Sequence, residues 1–182
     1  MFKRKLAIDG GKKIRSKPMP FRAAIGSKEK MMINKVFKYY ESIKADPGYQ
    51  GKFESIYCKS FSDFHGGGYS DAVATGTAAL YVSLAALELP KMSEVLCSPI
   101  TDPGTISSII LLNLKPKLID SAKDDYNINF SEFKKRVSKK TSCIIVVHSA
   151  GYPVDIKKIF EYCKLNNIKV IEDCSQAHGA IY

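Results

Sequence analysis

The sequence predicts an α/β fold: a mostly parallel sheet flanked by helices, preceded by a helical amino-terminal region. Three observations carry this. Short β-branched apolar runs recur through the second half of the chain, and stretches with helical spacing separate them. Such alternation builds parallel sheets covered on both faces. The last run is short and mostly β-branched rather than alternating, and Ile144–Val147 is unmixed, the pattern of buried strands. Finally, the last run, Ile168-Lys169-Val170-Ile171, is followed at once by Glu172 and Asp173. A parallel strand delivers such acids to the carboxyl edge of its sheet, where open α/β folds bind ligands. A solvated strand end with a capping acid is the plainer reading of the same pair.

Taken in order, residues 1–26 are basic and turn-rich, with Pro18 and Pro20 marking an extended arm. From Ser27, available as a cap, Met32, Val36, Tyr39, Tyr40 and Ile43 follow helical spacing. Asp46-Pro47-Gly48 breaks the chain, and a second helix fits Phe53, Ile56, Tyr57, Ser60, Phe61 and Phe64. Strands are expected at 72–74, 95–98, 117–119, 144–147 and 168–171. Helices are expected at 77–89, 105–112, 131–137 and 155–165, the last capped by Asp155. The domain reading is an arm and helical region over 1–70 and an α/β domain over 71–182.

Composition narrows the function. A chain of 182 residues, 45% hydrophobic and 25% charged, suffices for one domain with a real core. No apolar run approaches a membrane span, and the basic start lacks the apolar stretch of a secretory signal. A cytoplasmic protein without membrane contact is expected. The formal charge of +10 is nearly all lysine, scattered along the chain; only Arg4, Arg15, Arg22 and Arg136 carry the guanidinium fork suited to nucleic-acid phosphates and bases. No nucleic-acid partner is expected, although the surface charge suits an anionic substrate. Cysteines 58, 97, 143, 163 and 174 are odd in number and form no CxxC pair. Cys97 and Cys143 lie in apolar runs, so buried thiols are expected, with no disulfide. Neither Cys143 with His148 nor Cys174 with His178 belongs to a four-ligand zinc pattern, and no metal is expected.

Several motifs bear on chemistry. His65-Gly66-Gly67-Gly68 resembles an esterase oxyanion loop, but no G-x-S-x-G elbow accompanies it, and His148-Ser149-Ala150-Gly151 is not one; the glycines read as a turn. No G-x-G-x-x-G follows any strand, which removes the main support for a dinucleotide fold. Thr75-Gly76-Thr77-Ala78 lies between an expected strand and an expected helix. Glycine admits close backbone approach, and the first N–H groups of a helix face an anion with the positive end of the dipole, so a phosphate monoester suits this turn.

Three ordered stretches share a likeness: Leu6-Ala7-Ile8-Asp9-Gly10-Gly11, Asp71-Ala72-Val73-Ala74-Thr75-Gly76-Thr77-Ala78-Ala79-Leu80, and Glu172-Asp173-Cys174-Ser175-Gln176-Ala177-His178-Gly179-Ala180. Together they resemble the DegT/DnrJ/StrS family of nucleotide-sugar aminotransferases, from about Leu6 to Ala180. The resemblance implies the large domain of a pyridoxal-phosphate (PLP)-dependent transferase of fold type I, truncated here. It implies that Gly76, Thr77 and Ala78 cradle the cofactor phosphate, that Asp173 pairs with the pyridine nitrogen, and that Gln176 lies near the ring hydroxyl. A carboxylate in a partly desolvated site favours the pyridinium, through a charge-assisted bond of roughly 1.5–3 kcal/mol. His178 reads as structural. Asp102 is a further cofactor-site residue by position, standing where many family members place an aromatic ring against the cofactor face. No catalytic residue is expected among those present, because the lysine of the internal aldimine lies, by the resemblance, downstream of Tyr182.

The implied activity is amination of a keto group on a nucleotide-linked sugar, for polysaccharide or secondary-metabolite synthesis. An amino donor, expected to be glutamate, and a homodimer go with it. Two alternatives stand beside it: a degenerate chain that binds a phosphate ligand or a partner without catalysis, and the PLP-dependent sugar dehydratase branch of the same family.

Overall fold

The computed structural model describes residues 5–18, 21, 24–123 and 125–181. Pro20 of the expected arm, and Arg4 and Arg22, lie outside them. The chain divides into two compact units, Met1–Ser55 and Ile56–Tyr182. In the first, helix α1 (Ser27–Ile43) leads to the start of α2 (Lys52–Phe64), within which the division falls. Tyr39 and Phe53 meet edge to face at 5.6 Å, and Lys52 Nζ sits 4.2 Å from the Tyr39 ring centre. Ser27 is the first residue of α1 rather than its cap. Glycine occupies the cap position, so no side chain caps the first helical N–H groups, and the Gly26 N–H donates to Glu29 Oε2 at 2.7 Å, the other half of a capping box.

The second unit holds the sheet. Its elements are α3 (Gly76–Ala86), β1 (Glu94–Cys97), α4 (Pro103–Leu111), β2 (Lys115–Leu118), α5 (Phe130–Arg136), β3 (Thr141–Val147), α6 (Lys157–Leu165) and β4 (Lys169–Asp173). The strands lie in the order β2-β1-β3-β4, and every pair is parallel. Side chains alternate across a strand, and β3 uses both sets. Cys143, Ile145 and Val147 join Val95 and Cys97 under α3 and α4, where Leu80, Leu84 and Ile109 close the cluster. Ile144 and Val146 join Leu96 on the other face, under Phe133 of α5 and Ile159 and Cys163 of α6. Each fully buried aliphatic side chain contributes roughly 1.5–3 kcal/mol, so a β3 buried on both sides anchors three layers. Burial also pushes the Cys97 and Cys163 thiols up to about 11 and Cys143 to about 12. No helix among the described residues is long and apolar enough to cross a membrane.

Two further expected features do not form. The strand at 72–74 is absent: the segment runs irregularly into Thr75, and Val73 remains 39% exposed. Three apolar residues with no ladder partner among the described residues cannot make a strand by propensity alone. Asp155 does not cap α6. Ile156 occupies the cap position with no side-chain bond, because Val154 and Ile156 are both drawn into the core and the helix starts behind them. The strand expected at 117–119 begins earlier, at Lys115, and so contains Pro116. A proline lacks the ladder N–H but is tolerated on an edge strand, which β2 is among the described strands.

At the amino-terminal end of the sheet, Glu94 Oε2 accepts from Ser138 Oγ (2.6 Å) and Lys117 Nζ (2.9 Å), with Thr141 Oγ1 at 3.4 Å. Its side chain is 18% exposed. These donors, Ser138 first and Lys117 next, hold the carboxyl below its ordinary value of 4.5. A depressed carboxyl stabilises the fold above its unfolded-state value, and that contribution is lost as pH falls through the folded one. Glu94→Gln is expected to cost about 1–2 kcal/mol near neutral pH. Urea titrations should show this gap narrowing as pH falls below the ordinary carboxyl value of 4.5 and closing only once the depressed folded-state carboxyl is also protonated.

Candidate functional site

The carboxyl edge of the sheet gathers the loops that follow β1, β3 and β4, and the start of α3 arrives beside them. The start of α3 is fixed against α4. Ser108 Oγ lies 2.7 Å from the Gly104 carbonyl oxygen and 3.1 Å from that of Thr77. A Cβ on Gly104 would come within 2.2 Å of Thr77 Oγ1, so only glycine lets the two helix starts approach this closely. α3 also shares an apolar cluster with Ile171 of β4.

The two helix starts differ electrically. α4 is capped by a carboxylate, Asp102, which accepts the Gly104 N–H at 2.8 Å. Its dipole is therefore already met by a negative charge. α3 is capped by a neutral hydroxyl, Thr75 Oγ1, which accepts from the Ala78 N–H at 3.0 Å. The N–H groups of Gly76 and Thr77 have no partner among the described residues. A Cβ on Gly76 would meet nothing within 4 Å, and both residues are exposed. Of the three expected phosphate donors, Gly76 and Thr77 are open and Ala78 is committed to Thr75. Asp102 is placed at the same edge, with its carboxylate engaged as a helix cap.

Asp173 ends β4, and its backbone carbonyl accepts the His148 N–H at 3.2 Å. Its Oδ1 accepts from the Ser175 N–H at 3.1 Å and from the Ser175 hydroxyl, while Oδ2 has no partner among the described residues. One oxygen thus holds the side chain in place and the other is open to an external donor. Gln176 Oε1 accepts the Ala150 N–H at 2.7 Å, which docks the residue onto the turn Ser149–Gly151. His178 packs edge-on to Phe61 at 6.3 Å between ring centres.

Two residues that sequence reasoning did not assign to the site organise it. His148 follows β3, with its side chain only 4% exposed. Its Nδ1 accepts the Val154 N–H at 3.0 Å, and its Nε2 lies 3.1 Å from Glu172 Oε2. The first bond dictates the second: an Nδ1 lone pair that takes an amide proton leaves the hydrogen on Nε2, which then donates to Glu172. Its place directly after an unbroken apolar strand was the available signal. Asn127, 2% exposed, accepts the Ser149 N–H at 3.0 Å through Oδ1 and donates to the Tyr152 carbonyl at 2.9 Å through Nδ2. Nothing local in the sequence marks it, because its partners lie more than twenty residues downstream.

Ligand atoms of His148, Glu172 and Cys174 fall within 4.8 Å of one another. Their bonding opposes a cation there. The Nε2 lone pair is replaced by a proton, and burial, with Glu172 and Asp173 nearby, raises the Cys174 thiol away from the thiolate a metal needs.

Comparison with known proteins accords with this geometry. The aminotransferase from Psychrobacter cryohalolentis superposes with a TM-score of 0.80 at 29% identity, over 91% of this chain and 41% of that one. Escherichia coli GDP-4-keto-6-deoxy-D-mannose-3-dehydratase shares the fold, with a TM-score of 0.79 at 22% identity over 88% of this chain and 41% of that one. The fold is that of the type I PLP-dependent transferases. Residues 30–182 match the profile of the DegT/DnrJ/EryC1/StrS aminotransferase family, and the chain belongs to it. An uncharacterized protein of Methanocaldococcus jannaschii is 34% identical over 90% of this chain and 41% of its own length. The GDP-perosamine synthase of Escherichia coli O157:H7 is 29% identical over 89% and 43%. The chain thus spans about two-fifths of the length of the curated relatives it matches.

The hydrogen-bond pattern of His148 makes a direct prediction. Imidazole-nitrogen NMR at neutral pH should show a bare Nδ1 and a protonated Nε2. The opposite tautomer would mean that the Val154 amide does not face the ring.

Proposed function

We propose that this chain forms the cofactor-holding part of a PLP-dependent aminotransferase that aminates a keto group on a nucleotide-linked sugar. The observation that carries the reading is the pair of open functions at one sheet edge: the unpartnered Gly76 and Thr77 amides, and the unpartnered Asp173 Oδ2. A phosphate fits the first and a protonated ring nitrogen fits the second. Family membership supports the reaction class, and a relative named GDP-perosamine synthase supports a nucleotide-sugar substrate. Glutamate as donor and a homodimer are part of the same proposal.

When bound, PLP supplies an electron sink for the carbon that loses or gains a proton during amino transfer. The chain's own residues account for the rest of the binding. Gly76 and Thr77 donate to the phosphate at the uncompensated positive end of α3, and the lack of a Cβ at Gly76 leaves room for it. Asp173, oriented by Ser175, holds a proton on the ring nitrogen through its open oxygen. Gln176, docked on Ala150, keeps its NH₂ group available toward the ring oxygen. His148 donates to Glu172, which leaves Asp173 as the carboxylate free to face the cofactor.

Asp173→Asn in a complete enzyme carrying this chain is expected to keep its thermal transition but lower amino-transfer turnover by roughly 10- to 150-fold, the equivalent of a lost charge-assisted bond. Turnover equal to wild type would remove Asp173 from the cofactor site. Gly76→Val should leave the fold intact, since its Cβ direction is empty, and should weaken PLP binding in an equilibrium titration. An unchanged dissociation constant would place the phosphate elsewhere.

A further inference from the structure

We infer that the buried Asn127 is a positioning residue for Gln176, acting through the turn that follows β3; its relevance to the cofactor rests on the reading above. The linkage is a chain of hydrogen bonds. Asn127 takes the Ser149 N–H on Oδ1 and gives an N–H to the Tyr152 carbonyl, so one side chain grips both ends of a four-residue turn. Within that turn Ala150 and Gly151 stand at φ of 55° and 79°. A non-glycine residue in the left-handed region is held there by its surroundings, and here the grip from Asn127 supplies the hold. That conformation presents the Ala150 N–H to Gln176 Oε1 at 2.7 Å. Asn127 is itself fixed, since its backbone N–H donates to Asp125 Oδ1 at 3.0 Å and its carbonyl accepts from the Ala122 N–H at 2.9 Å. An amide is the side chain this place requires. Its carbonyl end faces a donor and its NH₂ end faces an acceptor, whereas aspartate would set an oxygen against the Tyr152 carbonyl and alanine would leave both turn groups unpaired. Gln176 is exposed, so its orientation has to come from the turn it rests on.

Two measurements on the full chain test this. The first needs no ligand: hydrogen exchange by mass spectrometry on wild type, Asn127→Ala, Asn127→Asp and Gln176→Ala, with residues 94–98 as an internal reference. Both Asn127 variants should speed exchange in 148–152 and in 174–178 while leaving the reference unchanged. Gln176→Ala, which changes only an exposed side chain and so keeps the fold, should speed exchange at 148–152, because such linkage is reciprocal. If 174–178 exchanges as in wild type when Asn127→Asp has loosened 148–152, or if Gln176→Ala leaves 148–152 unchanged, the inference is overturned.

The second is a PLP absorbance titration of wild type, Asn127→Asp, Gln176→Ala and the double variant. Each single change should weaken binding about two- to tenfold, and the double variant should bind no more weakly than the weaker single one. Penalties that multiply would show the two residues acting independently and overturn the proposal. A wild-type chain that takes up no PLP would instead overturn the cofactor reading, and the exchange data would still decide whether Asn127 positions Gln176.

Discussion

The arrangement of this molecule depends on β3 being buried on both faces. A strand in that position cannot slip by one residue, because a slip would exchange the side chains under α3 and α4 for those under α5 and α6. The fixed register sets Val147 opposite Asp173, and the next peptide donates from His148 to the Asp173 carbonyl. The hydrophobic core therefore determines where a carboxylate stands at the edge of the sheet. Polar bonds then orient that carboxylate, each worth about 1 kcal/mol net. They act on a frame whose position is already decided by several buried aliphatic side chains at roughly 1.5–3 kcal/mol each.

The sheet was legible in the sequence for the same reason. A doubly buried strand must be written in unbroken apolar residues, and Ile144–Val147 is, while the half-buried β4 admits Lys169 among its apolar residues. The failures fall where burial and local pattern disagree. Residues 72–74 are apolar but pair with no strand among the described residues, and pairing rather than apolarity decides that case. Asp155 has the chemistry of a cap, but the burial of Ile156 moves the helix start past it. Pro116 lies inside β2 and is tolerated because β2 is an edge among the described strands.

The candidate site was legible in part. Gly76, Thr77, Asp173 and Gln176 sit in short motifs whose chemistry is local, so the sequence points to them directly. What it could not show is which of their atoms are already in use. Ala78 gives its N–H to Thr75, Asp173 gives one oxygen to Ser175, and Gln176 gives its carbonyl to Ala150. His148 and Asn127 escaped because their roles exist only between loops that the sheet brings together. A side chain with partners more than twenty residues away leaves no periodicity to detect.

The two helix starts show how the edge sorts charge. Each helix presents roughly half a positive charge at its amino end. At α4 the Asp102 carboxylate places a full negative charge on that half-charge, so the local balance turns negative and an approaching anion is repelled. At α3 the Thr75 hydroxyl completes the cap without adding charge, and the half-charge stands. The difference between the ends is about one elementary charge, across a contact tight enough that Gly104 cannot carry a side chain. On the proposed cofactor reading, a phosphate arriving between them would be directed to Gly76 and Thr77 and away from Gly104. On the same reading Asp102 would contribute to anion placement without touching the anion: the carboxylate that stabilises one helix start would make the other the more favourable seat of the two.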